Sequence, residues 1–159
     1  MTDGRSPITD SPGRIAGIDY GTARIGVALT DRDQRIASPW DNYQRGDEQA
    51  DADYFRALAT GEDICLFVVG LPVYLSGRES EKSVEARQFG KWLHELTGVP
   101  VQWFDERFSS QEADQVLGAG KLSKRKRAER RDKLAAQIML SAYLESDRSG
   151  REPIGLDEE

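Results

Sequence analysis

The chain has 159 residues, of which 38% are hydrophobic and 31% charged, and its formal net charge is −6. This length fits a single domain, because single cores commonly hold about 100–200 residues. One cysteine, Cys65, excludes an intramolecular disulfide, and one histidine, His94, leaves too few soft ligands for a zinc site. No apolar run approaches the roughly 20 residues of a membrane span, and the N-terminus lacks the apolar stretch of a secretory signal. We therefore expect a cytoplasmic protein.

The net negative charge argues at first against a nucleic-acid partner, since phosphates are usually met by an excess of Lys and Arg. The charges are, however, sorted along the chain. Residues 121–133 contain eight basic and two acidic side chains, a local balance of +6, so the rest of the chain sums to −12. Such a run is either a solvated helix face or an anion-binding patch beside a functional site.

The first part of the chain predicts three strands and a helix. Residues 1–13 are polar, with several Gly and Pro, and predict a disordered leader. The two apolar runs of 14–31 predict a β-hairpin, and a third strand is expected at 34–38, ended by Pro39. Residues 47–60 carry apolar side chains at helical spacing and predict a surface helix.

The second part of the chain alternates strands and helices. The continuous apolar run at 64–72 is typical of a strand covered on both faces in a parallel sheet, and 81–97 shows the apolar spacing of a helix. A further strand is expected at 99–104. A short helix opens with the capping box at Ser109, and a final helix runs from the basic block to about Glu145. The apolar stripe predicted for this final helix comprises Leu134, Ala135, Ile138 and Ala142.

The order βββαβαβαα predicts an α/β fold, a mixed five-stranded sheet in which an antiparallel meander joins parallel strands and helices flank both. One domain is expected over 14–146. An acidic disordered tail is expected at 147–159.

Acidic residues from three distant segments are the candidate catalytic residues of this chain. Asp19 ends the first strand, and Asp105 and Glu106 follow the last one. Asp132 lies four residues before Ala136 and so on its helix face. Each alone has an ordinary explanation as a turn former or a helix-dipole partner. Together they bring carboxylates to adjoining ends of a sheet and a packed helix, where crowding raises their pKa unless a cation joins them.

A divalent ion such as Mg²⁺ or Mn²⁺ is the natural cation for such carboxylates, because hard ions take oxygen ligands. Two of these ions about 3.5–4 Å apart can activate a water and stabilise the leaving oxygen in phosphodiester cleavage. The basic block directly precedes Asp132, so a phosphate backbone held there would be drawn toward the carboxylates. The residues expected to hold it are Lys124, Arg125, Lys126 and Arg127. Arg107, next to the acidic pair, either contacts a phosphate or pairs with Asp105.

Four segments, in order, resemble the YqgF family. They are GIDYGTARIGVALTD at 17–31, VVGLP at 68–72, DERFSSQEA at 105–113 and RRDKLAAQIMLSAYL at 130–144. The resemblance covers about 14–145. It implies a ribonuclease H-like fold, a divalent-metal nuclease activity and a role in maturing the 5′ end of 16S rRNA, with a Holliday junction resolvase as the alternative.

Carried over position by position, the resemblance places the metal-binding acids of the family on Asp19, on the pair Asp105 and Glu106, and on Asp132. Glu106 is preferred within the pair, although the choice depends on a sheet register that the sequence does not give. The loop at 73–77 departs from the usual family sequence, and no substrate role is assigned to it.

The resemblance implies a nucleic-acid partner, either precursor 16S rRNA or branched DNA, together with ribosomal or transcription proteins. It leaves open a monomer or a homodimer. Sugar kinases and actin-like ATPases share the opening Asp-x-Gly-Thr, but their second lobe and second phosphate loop do not fit in 159 residues. A protein that binds structured nucleic acid without cleaving it is the remaining alternative. The loss of an acid would favour it, and none is lost here.

Overall fold

The computed structural model describes residues 13–72, 81–105 and 124–146, with side chains in the last range described from 134 onward. Its elements are β1 (Arg14–Asp19), β2 (Arg24–Thr30), β3 (Ala37–Gln44), α1 (Glu48–Gly61), β4 (Ile64–Leu71), α2 (Glu81–Thr97), β5 (Val101–Asp105) and α3 (Lys124–Glu145). The expected leader, short helix and acidic tail fall on residues outside these ranges, apart from Gly13. None of the described helices combines the length and the apolar character needed to span a bilayer.

The strands form a five-stranded sheet in the order β3-β2-β1-β4-β5. β1 pairs antiparallel with β2 and parallel with β4, while β2 pairs antiparallel with β3 and β4 pairs parallel with β5. This confirms the predicted mixed sheet of a meander joined to parallel strands. β4 lies between two parallel neighbours, which explains why its sequence is apolar throughout rather than alternating.

Successive side chains of β1 point to opposite faces of the sheet, and each face has its own core. Ile18 packs in one cluster with Phe55 of α1 and Leu93 of α2. Ile15 packs in the other cluster with Leu140 of α3. Helices α1 and α2 therefore cover one face, and α3 covers the other.

The prediction for the third strand was wrong. β3 begins at Ala37 rather than at 34 and continues through Pro39 as far as Gln44. Proline is tolerated because β3 is an edge strand, and the register shifts beside Pro39, between Val27 and Ala28 of β2. The extension matters for function, because it brings the end of β3 level with the end of β1.

The predicted apolar stripe of α3 was displaced by about one residue. Leu134, Ala135 and Ala142 are only half-buried. The buried residues of the helix are Ala136, Ile138, Met139, Leu140 and Tyr143. Apolar residues occupy most positions of 134–144, so periodicity alone does not select a face, whereas close packing on the sheet does.

Candidate functional site

Asp19 ends β1 on the face that α3 covers. Two residues earlier, Gly17 lies directly under α3, since a Cβ built on it would come 2.9 Å from the Leu140 Cβ. Side chains of a strand alternate, so Asp19 shares the face of Gly17. The residue is half-buried, and it pairs across the sheet with Gly26 of β2. The first predicted acid therefore lies at the carboxyl end of β1, on the α3 side.

Position 132 lies on the helical stripe that packs against Gly17. The Ala136 carbonyl oxygen would be 3.4 Å from a Cβ at Gly17, and position 132 precedes Ala136 by about one turn. The Asp132 side chain is outside the described side chains. The helical backbone alone thus places position 132 about one turn before Ala136. Ala136 packs on Gly17, which precedes Asp19 by two residues.

Asp105 ends β5, opposite Leu71 of β4, and is 1% exposed. It has the same strand parity as Trp103, which packs into the core formed with α1 and α2. Asp105 therefore belongs to the face opposite to Asp19, on a strand that lies two strand spacings, or about 9.6 Å, from β1. Its neighbours Glu106 and Arg107 lie outside the described residues.

Asn42 of β3 is a site residue that the sequence did not reveal. Asp19 pairs with Gly26, and Gly26 pairs with Asn42, so the three residues form one row across three strands on the α3 face. Gly26 has no side chain to fill the row between Asp19 and Asn42. The Asn42 Oδ1 is buried and has no hydrogen-bond partner among the residues that the structure describes. Because the predicted third strand ended at Pro39, Asn42 was not expected to belong to the sheet.

Asp19 and Asn42 lie two strand spacings, or about 9.6 Å, apart, so they could share a hard cation only through a bound water. Asp19 supplies a carboxylate, and the orphaned Asn42 Oδ1 is an acceptor that a metal-bound water can satisfy. Within the described ranges, no three His, Cys, Asp or Glu side chains gather closely enough to hold a metal. Of the acids predicted for the metal, Asp19 and Asp105 have side chains within those ranges, and the two belong to opposite faces of the sheet. The described residues therefore supply one oxygen ligand for a divalent ion, Asp19, and one acceptor for its water, Asn42.

Four of the residues predicted to contact nucleic acid lie at the start of α3. Lys124 through Arg127 form its first residues, five to eight positions before 132, which corresponds to about 7–12 Å of helix. Their side chains lie outside the described set. The backbone thus keeps the basic segment and position 132 on one continuous helix, as the sequence predicted.

A cleft of about 330 Å³ opens on the other face of the sheet, beside the turn that follows Asp19. Tyr20, Arg45 and Asp51 line it, and Arg45 Nε donates to Asp51 Oδ2 at 3.0 Å. Burial by itself raises the pKa of the Asp51 carboxyl, but hydrogen bonds from the Gly46 N–H, Tyr43 and Arg45 outweigh it and hold that pKa below its ordinary value. The carboxylate is therefore charged and ion-paired at neutral pH.

The family model and the curated relatives that match this chain point to one family. Residues 13–146 match the family model described as RuvX: Holliday junction resolvase. A protein of Rhodopirellula baltica, named as a candidate pre-16S rRNA nuclease, is 46% identical over 136 residues, which cover 86% of this chain and 79% of the relative. A relative of the same name from Koribacter versatilis is 39% identical over 140 residues, covering 88% of this chain and 92% of that protein.

Among solved structures, Thermus thermophilus RuvC in complex with a Holliday junction substrate resembles the chain at a TM-score of 0.47 and 17% identity. The match covers 83% of this chain and 93% of that one. Likeness at this level says nothing about what this chain binds. The family match over 13–146 and the two curated relatives decide the assignment. The chain belongs to the RuvX (YqgF) family.

Proposed function

We propose that this protein is a divalent-metal-dependent nuclease that hydrolyses a phosphodiester bond of precursor 16S rRNA during maturation of its 5′ end. The observation that carries the proposal is the contact of Gly17 with Ala136 and Leu140, which brings the strand of Asp19 and the stripe of position 132 together on one face. The names of the relatives support the choice of substrate.

The proposed metal ligands are Asp19, Glu106 and Asp132, and the proposed ion is Mg²⁺ or Mn²⁺. Asp105 is the weaker candidate because its strand parity assigns it to the opposite face, and this supports Glu106 within the pair. When bound, such an ion activates a water and stabilises the leaving oxygen. The buried Asn42 Oδ1 would accept a hydrogen bond from a water in this row and so orient it.

Lys124, Arg125, Lys126, Arg127 and Arg107 are proposed to hold phosphates of the substrate. Their charge would collect the RNA backbone at the start of α3, while the acidic remainder of the chain repels it elsewhere. This distribution reconciles a net charge of −6 with a nucleic-acid substrate.

The experiment is cleavage of a precursor 16S rRNA fragment in Mn²⁺ by the wild type, Asp19→Asn and Asp132→Asn. We expect both variants to lose at least about 100-fold in rate, since each removes one charged metal ligand. Asp33→Asn is the matched control, because Asp33 is exposed in the β2–β3 loop. The neighbouring Gln34 bonds to the Gly13 carbonyl beside the start of β1, at the opposite end of that strand from Asp19. Equal cutting by all four proteins would refute the metal-site assignment.

Branched DNA is the second candidate substrate, favoured by the description of the family model. A four-way DNA junction is therefore included in the same assay at equal concentration. Faster cutting of the junction than of the rRNA fragment would replace rRNA maturation by junction resolution. Tight binding of either substrate without metal-dependent cutting would instead identify a non-catalytic nucleic-acid-binding protein.

A further inference from the structure

Arg45 contacts the turn that follows Asp19 from the opposite side of the sheet. Its backbone N–H donates to the Ala23 carbonyl at 3.0 Å. Its Nη1 donates to the Tyr20 hydroxyl at 3.2 Å and to the Gly21 carbonyl at 3.3 Å. Arg45, which directly follows β3, thus binds three positions of the β1–β2 turn, beginning with the residue next to Asp19.

Arg45 is itself held in place by Asp51. Its Nε donates to Asp51 Oδ2 at 3.0 Å, and the Asp51 side chain is only 3% exposed. Tyr43 and the Gly46 N–H donate to the other carboxylate oxygen at 2.8 and 3.0 Å. With every oxygen of this carboxylate bonded, the guanidinium has a defined position, because a planar fork held at one end cannot swing freely.

Aromatic rings fix the same guanidinium from a second direction. It lies 5.4 Å from the ring centroid of Tyr20 and 5.8 Å from that of Phe89, within the range of cation–π attraction. The turn itself has little freedom, since a Cβ at Gly21 would collide with the Arg24 carbonyl oxygen. The β1–β2 turn is therefore tight, and Arg45 holds it in place.

We propose that Arg45 is a positioning residue that sets the location of Asp19 by fixing the turn immediately after it, a role that rests on the proposed metal-binding function of Asp19. Arg45 reaches the turn from the α1 and α2 face, where Phe89 and Asp51 lie, whereas Asp19 belongs to the α3 face. It acts through the backbone and through Tyr20 rather than on the substrate. The alternative is that the Arg45–Asp51 pair does no more than attach α1 to the sheet.

Two variants separate these roles. Tyr20→Phe removes one acceptor of Arg45 and leaves the Arg45–Asp51 pair intact, while Arg45→Lys keeps the charge and loses the fork. Tyr54→Phe is the matched control, because it removes a hydroxyl bonded to Asp41 at 2.7 Å on the same side of the sheet but away from the turn. The measurements are the Mn²⁺ dissociation constant, kcat and KM for the rRNA fragment, urea unfolding, and hydrogen exchange of the turn amides.

We expect Arg45→Lys to weaken Mn²⁺ binding and to lower kcat by about 10–100-fold, as loss of an outer-shell partner typically does, and Tyr20→Phe to give about the lower end of that range. KM for RNA should not change, and exchange at Gly21 and Ala23 should speed up in both variants but not in Tyr54→Phe. Lowered stability with unchanged Mn²⁺ affinity and kcat would overturn the proposal.

The proposed function can fail separately from this inference. If the wild type neither binds Mn²⁺ nor cuts RNA, the nuclease assignment is wrong, and the exchange data still decide whether Arg45 fixes the turn. Turn amides that exchange equally in the wild type, Tyr20→Phe and Arg45→Lys would refute the positioning role whatever the activity.

Discussion

Gly17 of β1 lies so close to Leu140 of α3 that a Cβ built at position 17 would come 2.9 Å from the Leu140 Cβ. No side chain fits between the strand and the helix at this point. The contact therefore fixes the spacing of the two elements that carry Asp19 and position 132. The candidate metal site depends on this packing as much as on its acids.

Replacing Gly17 by Ala is expected to push α3 away from the sheet. We expect a loss of about 1–3 kcal/mol in the free energy of unfolding, as for other overpacked cores, together with a loss of nuclease activity. Urea unfolding and the cleavage assay measure the two effects. Gly61→Ala is the control, because nothing lies within 4 Å of a Cβ there, and it should be neutral or stabilising by about 0.4–1 kcal/mol. Equal stability of Gly17→Ala and the wild type would contradict the tight contact.

Replacing Asp51 by Asn tests the ion pair that holds Arg45. Breaking a buried ion pair typically costs about 3–5 kcal/mol of the free energy of unfolding. At pH 7 we expect a loss somewhat below that range, because the Arg45 side chain is 24% exposed and so partly solvated. Asp53→Asn on the same helix is the control, since the Asp53 side chain is 67% exposed, and it should change stability by less than about 0.5 kcal/mol.

The contribution of Asp51 should also depend on pH with a definite sign. Its folded pKa lies below the ordinary value, so its stabilisation is complete above the unfolded pKa of about 3.9 and is lost as the pH falls through the folded value. The difference in unfolding free energy between the wild type and Asp51→Asn should therefore shrink in acid. A difference that stayed constant or grew as the pH dropped below about 4 would show that the lowered pKa is wrong.

The basic start of α3 is expected to set the salt dependence of RNA binding. Replacing Lys124, Arg125, Lys126 and Arg127 together by Gln should weaken binding and reduce the slope of log K against log salt by about 0.7 for each phosphate that is no longer neutralised. Fluorescence anisotropy over a range of KCl concentrations measures the slope. Lys82→Gln and Lys91→Gln on the exposed surface of α2 provide the control. An unchanged slope would mean that the segment is only a solvated helix face.

Much of this fold could be predicted because its signals are local. The apolar run of β4 revealed a strand buried on both faces, and the runs on either side of Gly21 revealed the hairpin. Asp19 stood out because it follows an apolar strand directly. Each of these signals depends only on neighbouring residues.

The rest depended on contacts between distant segments. Pro39 predicted a strand end, but an edge strand tolerates proline, so Asn42 was not expected in the same cross-strand row as Asp19. Arg45 and Asp51 gave no signal either, because nothing in a loop arginine or a helical aspartate shows that they pair beside a turn 24 residues earlier. The sequence likewise does not give the parity of β5, which puts Asp105 on the face opposite to Asp19 and which only the partners of that strand reveal.

The most direct test of the central claim is a metal-rescue measurement at Asp19. A cysteine at this position would replace a hard oxygen ligand by a soft thiolate, which discriminates against Mg²⁺ and favours a soft ion such as Cd²⁺. The cleavage rate of the precursor 16S rRNA fragment is measured for Asp19→Cys and Asp19→Asn in each ion under reducing conditions. We predict that Asp19→Cys is inactive in Mg²⁺ and regains activity in Cd²⁺, while Asp19→Asn stays inactive in both. Failure of Cd²⁺ to raise Asp19→Cys above Asp19→Asn, or full activity of Asp19→Asn in Mg²⁺, would contradict the claim that Asp19 binds the catalytic metal.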